Sequence, residues 1–295
     1  MAVQNFHAYA PPHHEIARDA WPTHLCKRPP GDHRAVSSGE LRKHEKFRSR
    51  FLRNQRDLIV YTPPGYHEQP GHNFPVLYLH DGQNLFDGAT SFIPGQDWHV
   101  GQTADQCIQS GAVEPLLIVG IYNTKARVRE YTPTHVPKLG GGRADRYAKF
   151  LIEEVKPFVE REYRTLCGAQ QTGMGGSSLG ALVSLYVGLK HPSIFGKIAA
   201  LSPAVWWNQQ FIHRFTRSLR VEPRPRIWLD IGTRERPRVV RDVEHFRDTL
   251  LEKGWRLGRD LHYERVEGAE HNEAAWARRV GPFLQFLFPA RPAAV

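Results

Sequence analysis

The nonapeptide Gly173-Met174-Gly175-Gly176-Ser177-Ser178-Leu179-Gly180-Ala181 contains one match to G-x-S-x-G. That spacing suits a serine nucleophile on a sharp strand-to-helix turn, where the residues two positions before and after it crowd each other unless both are small. For Ser178 those neighbours are Gly176 and Gly180, whereas for Ser177 they are Gly175 and the bulky Leu179. Ser178 is therefore the expected nucleophile. The same turn puts the Leu179 N–H at a helix start, where backbone donors are unpaired and point toward a developing oxyanion. A glycine-rich structural turn explains the pentapeptide alone, so the reading depends on partners elsewhere in the chain.

A serine that transfers acyl groups needs a histidine to take its proton and a carboxylate to orient that imidazole. Glu267-Gly268-Ala269-Glu270-His271-Asn272-Glu273 lies just after the last expected strand and opens the last expected helix, which makes His271 the candidate base. His191, His245 and His262 each fall where a helix or strand already accounts for them. For the acid, Asp230-Ile231-Gly232-Thr233-Arg234-Glu235 offers two carboxylates. Asp230 falls within a strand covered on both faces and Glu235 on the loop beyond it, so Glu235 is preferred and Asp230 is kept as the alternative. A second oxyanion donor is expected in the loop His80-Asp81-Gly82-Gln83-Asn84, with the Gln83 backbone N–H as donor and Asp81 shaping the loop.

The elements that must position these groups alternate. Strand-like runs at 40–47 and 56–61 read as an antiparallel edge hairpin. Further runs at 74–79, 116–121, 171–175, 197–201, 226–231 and 262–266 are separated by helical patterns at 101–110, 144–163, 179–190, 239–253 and 273–287. Such alternation predicts an α/β fold, a mostly parallel central sheet with helices on both faces and ligands at the carboxyl ends of the strands. Residues 122–142 and the stretch from Trp206 read as loops. The expected organisation is an irregular basic arm over residues 1–38 followed by one catalytic domain over 39–295.

Composition narrows the function classes. Of the formal charge of +10, residues 1–56 carry a net +6, from eleven Lys or Arg against five Asp or Glu. No stacking-aromatic or groove-helix motif accompanies it, so a solvated basic face is preferred to a nucleic-acid site. Cys26, Cys107 and Cys167 fit neither a disulfide framework nor a zinc site and read as reduced thiols. No cofactor or metal is expected. The absence of an apolar leader or membrane-length run predicts a soluble, cytoplasmic protein.

Together these residues resemble the putative-esterase family of α/β-hydrolases, related to enterochelin-type siderophore esterases, esterase D, and feruloyl and acetylxylan esterases. The resemblance is carried by Arg56-Asp57-Leu58-Ile59-Val60-Tyr61-Thr62-Pro63-Pro64-Gly65-Tyr66, His80 to Asp87, Arg129-Glu130-Tyr131-Thr132-Pro133, the serine elbow, Leu201-Ser202-Pro203, Gly232-Thr233-Arg234-Glu235 and His271-Asn272-Glu273. It implies an α/β-hydrolase fold, a small-molecule ester substrate and the acid at Glu235. Ala181 stands where the family often has a second glycine, and Glu235 where aspartate is commoner. The expected activity is ester hydrolysis through an acyl-enzyme, with an acyltransferase or a non-catalytic binding protein on the same fold as alternatives. Trp206 and Trp207 are candidate aromatic contacts for the substrate, and Arg127 and Arg129 candidate contacts for an anionic one.

Overall fold

The computed structural model, which describes residues 38–290, has strands that range from the apolar run Leu117–Ile121 to the largely charged edge run Glu40–Ser49. They are β1 (Glu40–Ser49), β2 (Asn54–Thr62), β3 (Val76–His80), β4 (Leu117–Ile121), β5 (His135–Val136), β6 (Gly140–Gly141), β7 (Thr172–Ser177), β8 (Lys197–Leu201), β9 (Arg226–Gly232) and β10 (Leu261–Val266). Eight of them make one sheet in the order β1-β2-β4-β3-β7-β8-β9-β10, while β5 and β6 form a separate two-stranded ladder. The edge hairpin β1–β2 is antiparallel, as is the β2–β4 pairing. Every later pairing in the large sheet is parallel. The expected proline- and histidine-rich arm lies outside the described residues, apart from Ser38.

Because side chains alternate across a strand, each central strand feeds two cores. Tyr78, Val119, Met174, Ile198 and Leu229 face one side; Leu77, Leu79, Ile118, Ala199 and Trp228 face the other. The first face is covered by α3 (Ala144–Phe150), α4 (Lys156–Glu162), α5 (Leu179–Lys190), α6 (Trp207–Ser218) and α7 (Pro237–Glu252). On the second lie α1 (Val100–Gln109), α8 (Glu273–Ala277) and α9 (Val280–Leu287). The short α2 (Arg127–Tyr131) packs against α3 and α5. The fold is thus an α/β sheet with helices on both faces, of the α/β-hydrolase type.

Three local expectations need correction. Residues 122–142 are not a bare loop, since they contain α2 and the β5–β6 ladder. The stretch after Trp206 is α6, whose apolar spacing at Trp207, Phe211, Ile212 and Phe215 was hidden behind Asn208, Gln209 and Gln210. These three residues form a left-handed turn at its start, with φ of 44, 52 and 59°. Each costs about 1–2 kcal/mol relative to the right-handed form, which is why local preference does not announce the helix. Finally, the helix expected over 273–287 breaks into α8 and α9 at Arg278 and Arg279.

His80, the last residue of β3, is fully buried and shares a 3.0 Å hydrogen bond with the Tyr147 hydroxyl through Nδ1. Burial pushes its imidazole down to about 3, the Asp81 carboxylate opposing this only in part. The unfolded chain takes up this proton near 6.5 and the native one only near 3, so between those values the unfolded state binds more protons and stability falls as pH falls. Lowering pH from 6.5 to 5 should cost about 2 kcal/mol through this one group. His80→Asn, whose amide does not titrate, should show an acid-side loss smaller by that amount in denaturant unfolding. Equal pH dependence in parent and variant would contradict it.

Candidate active site

Ser178 sits between β7 and α5 with φ 56° and ψ −118°, a conformation that non-glycine residues seldom adopt. Its amide donates to the Leu201 carbonyl at 3.0 Å, and its carbonyl accepts from Leu182 and Ala204, each at 3.0 Å. The strain is held from both sides. A Cβ added at Gly176 would come within 3.2 Å of the Gly180 carbonyl carbon and of the His80 Cβ, and one at Gly180 within 3.2 Å of the His80 Cβ and 3.3 Å of Asp81 Oδ2. The elbow therefore packs on the end of β3 so closely that a methyl group at either glycine would fit only if its neighbours gave by a few tenths of an ångström. Ser177, by contrast, is buried in β7.

Leu179 opens α5, so its N–H belongs to the first turn, which has no intrahelical acceptor. Gln83 lies in a 3₁₀ turn over Gly82–Asn84, introduced by Asp81 in the left-handed region at φ 58°. Only glycine fits at position 82, where a Cβ would meet the Gly120 carbonyl carbon at 2.6 Å.

His271 Nδ1 and Glu235 Oε2 are 2.7 Å apart. The other oxygen, Glu235 Oε1, accepts from the Ser202 hydroxyl at 2.6 Å and from the Gly232 N–H at 3.1 Å. Burial alone would raise the Glu235 carboxyl, but the hydrogen bonds and charge of His271 and the Ser202 hydroxyl hold it below the ordinary glutamate range. The His271 ring stands edge-on to Trp276, centroids 4.9 Å apart. Asp230, the alternative acid, is spoken for elsewhere. It accepts from Arg279 Nη1 at 2.6 Å, Trp228 Nε1 at 2.7 Å and the Ser202 N–H at 3.1 Å. Burial leaves its carboxyl above the ordinary range even with Arg279 alongside.

Ser178 and His271 line two adjoining hollows at the carboxyl edge of the sheet. The larger, about 640 Å³, is walled by Trp206, Arg234, Glu235, Arg236, Arg238 and Asp242 among others. The smaller, about 380 Å³, is walled by Asp81, Gln83, Phe92, Arg127, Glu273 and Trp276 among others. Trp206, 41% exposed, reaches the larger hollow. Trp207 does not: it is 3% exposed, and its indole N–H donates to the Thr134 carbonyl at 3.1 Å. Arg127 makes a two-pronged ion pair with Asp81, at 2.8 and 2.7 Å, while burial is outweighed and Asp81 stays below the usual carboxylate range. Arg129 is turned away from both hollows, toward a small surface pocket with Phe51, Arg143 and Arg146. The arginines that line the larger hollow are instead Arg234, Arg236 and Arg238, whose alternation around Glu235 is plain in Arg234-Glu235-Arg236-Pro237-Arg238. Sequence reasoning also missed Ser202, Glu273 and Trp276. Among the described residues no group of His, Cys, Asp or Glu could hold a metal ion, and no helix is long and apolar enough to cross a membrane.

Residues 49–284 match the family model described as Putative esterase. The chain belongs to this family. It is an esterase, acting on carboxylic esters. This esterase is 26% identical over 263 residues to Uncharacterized protein YbbA of Bacillus subtilis, spanning 85% of the chain and 96% of that protein. It is 34% identical over 172 residues to the Ferri-bacillibactin esterase BesA of the same organism, spanning 52% of the chain and 54% of BesA. Among solved structures, an IroE-like serine hydrolase from Shewanella oneidensis superposes with TM-score 0.69 at 21% identity, over 84% of this esterase and 80% of that chain, a likeness of fold.

The two buried carboxylates of the esterase should separate experimentally. Arg279→Ala strands the Asp230 carboxylate without its ion-pair partner and should cost about 3–5 kcal/mol in unfolding free energy. Glu235→Gln should leave stability nearly intact and reduce ester turnover by roughly 10⁴-fold, through loss of the imidazole's orientation. Measured stability and turnover that followed the reverse pattern would exchange the two assignments.

Proposed function

We propose that this esterase hydrolyses its substrate through an acyl-enzyme formed on Ser178, with His271 as general base and Glu235 as the group that orients it. The observation that carries this reading is the 2.7 Å contact between His271 Nδ1 and Glu235 Oε2, made by an imidazole that shares both hollows with Ser178. With Nδ1–H donated to the carboxylate, Nε2 is left as the acceptor for the serine proton. The Ser178 oxygen attacks the ester carbonyl and passes its proton to His271, and the carbonyl oxygen becomes an oxyanion. In this reading the N–H groups of Leu179 and Gln83 receive that oxyanion, because both belong to first turns whose donors lack intrahelical acceptors. The imidazolium then protonates the leaving alkoxide. Water, deprotonated by the same histidine, releases the acid and restores Ser178.

Aromatic esters are the proposed preference over long aliphatic ones. Trp206 supports this, since its exposed ring offers a flat stacking face in the larger hollow.

Ser178→Ala should remain folded by circular dichroism and lose about 10⁴-fold or more in kcat, whereas Ser177→Ala should retain most activity. His271→Ala should be as damaging as Ser178→Ala, and the double variant no worse than either single one. An active Ser178→Ala would end the proposal. For substrate choice, Trp206→Ala should narrow the ratio of kcat/KM for a feruloyl ester over an aliphatic ester of similar size. Trp207→Ala should leave that ratio in place and cost about 3–5 kcal/mol of stability.

A further inference from the structure

The two hollows that meet at Ser178 and His271 carry opposite chemistry. In the larger, Arg234, Arg236 and Arg238 outnumber two carboxylates, Glu235, which is held by His271, and Asp242, whose Oδ1 accepts from Gln210 Nε2 at 2.7 Å and whose buried Oδ2 has no partner among the described residues. Among the described residues Arg236 and Arg238 have no ion-pair partner, and the contact of Arg234 with Glu270 is 4.0 Å. Exposed guanidinium groups around a cavity attract anions and desolvate at low cost. In the smaller hollow the only cation, Arg127, is matched by Asp81, whose Oδ1 also accepts from Asn123 Nδ2 at 2.6 Å. Glu273 is left over. It is 4% exposed, and its carboxyl accepts from its own backbone N–H and, at a long 3.3 Å, from Asn84 Nδ2. The amide oxygen of Asn84 is committed to Phe92 N at 2.9 Å and the Ser91 hydroxyl at 3.4 Å, so that side chain is fixed in place. A carboxyl group has room for about four donors, and these two leave part of that capacity open.

We propose that this polarity, which rests on the reading of Ser178 and His271 given above, sets the substrate class and its orientation. The cleft takes an ester whose one half carries an anionic group, set against Arg234, Arg236 and Arg238, and whose other half carries a hydroxyl or ammonium donor, set against Glu273. The reversed orientation would bring the anion to Glu273 and Asp81 and the donor to a wall where three guanidinium groups, which have no acceptor to offer, outnumber the one open carboxylate oxygen, Asp242 Oδ2. Glu273 is in this view a specificity-determining residue, made effective because a site that hydrogen-bonds a substrate group rejects the analogue lacking it.

The test uses the full chain and a set of esters of one length. They carry a carboxylate on the acyl half or none and a hydroxyl on the alcohol half or none, together with the set in which the two groups are exchanged. Labelling of Ser178 by a fluorophosphonate is checked first; a protein that is not labelled overturns the catalytic reading and this inference with it. With labelling secured, the doubly substituted ester should exceed the unsubstituted one in kcat/KM by roughly tenfold per group, in one of the two orientations only. Glu273→Gln should collapse the hydroxyl preference while the carboxylate preference persists. The surface variant R236A/R238A should do the converse, and added salt should weaken the carboxylate preference. Equal turnover of the two exchanged sets, or a Glu273→Gln loss that falls on all esters in the same proportion, would overturn the inference while leaving the catalytic reading standing.

Discussion

The geometry of the cleft depends on the fact that neither oxygen of Glu235 is free. One faces His271, and the other is fixed by the Ser202 hydroxyl and the Gly232 N–H. Ser202 in turn accepts from Trp276 Nε1 at 3.2 Å and Arg279 Nη1 at 3.0 Å, and Arg279 continues to Asp230. A single chain of buried hydrogen bonds thus runs from the imidazole into the sheet and on to α8 and α9. In a low-dielectric interior such a network stiffens the groups it joins when it is satisfied and is costly when one member is lost. The orientation of His271 is consequently a property of the core.

Backbone strain collects along the same edge. Three neighbouring parallel strands, β3, β7 and β8, each run into a non-glycine residue of positive φ: Asp81 at 58°, Ser178 at 56° and Ser202 at 44°. Conformations of this kind cost on the order of 1–3 kcal/mol apiece and persist where the surroundings over-determine them. Here the surroundings are the Arg127 ion pair for Asp81, three backbone hydrogen bonds for Ser178 and the Glu235 network for Ser202. Each strained residue turns the chain sharply as it leaves the sheet, which is how three separate loops come to face one cleft.

What could be read from the sequence follows from which interactions are local. Strand boundaries at 197–201 and helix boundaries at 179–190 match the observed elements to the residue, because continuous apolar runs encode buried parallel strands and their covering helices directly. The G-x-S-x-G spacing, His271 on its loop and Glu235 beyond its strand were legible for a similar reason: each stands a fixed, short distance from an element end. Arg127 was recognised as a charge but not as the partner of Asp81, since that contact joins positions 46 residues apart. Trp206 and Trp207 are adjacent in the chain and identical in type, yet one ring lines the cleft and the other is buried with its N–H on the Thr134 carbonyl. No periodicity carries that distinction.

The hydrogen bond from the Gly232 N–H to the side chain of Glu235, three residues further along, closes the loop between them upon itself and ties it to β9. Opening such a loop as a small, independent fluctuation is costly, because it would take from the Ser202 hydroxyl and the Gly232 N–H their shared buried acceptor and free the end of β9. The loop is in this sense joined to the sheet. The side chains of the outer wall, Phe92, Trp206 and the three arginines, take no part in that hydrogen-bond network, and change in sequence there can retune what is bound without loosening what holds the imidazole.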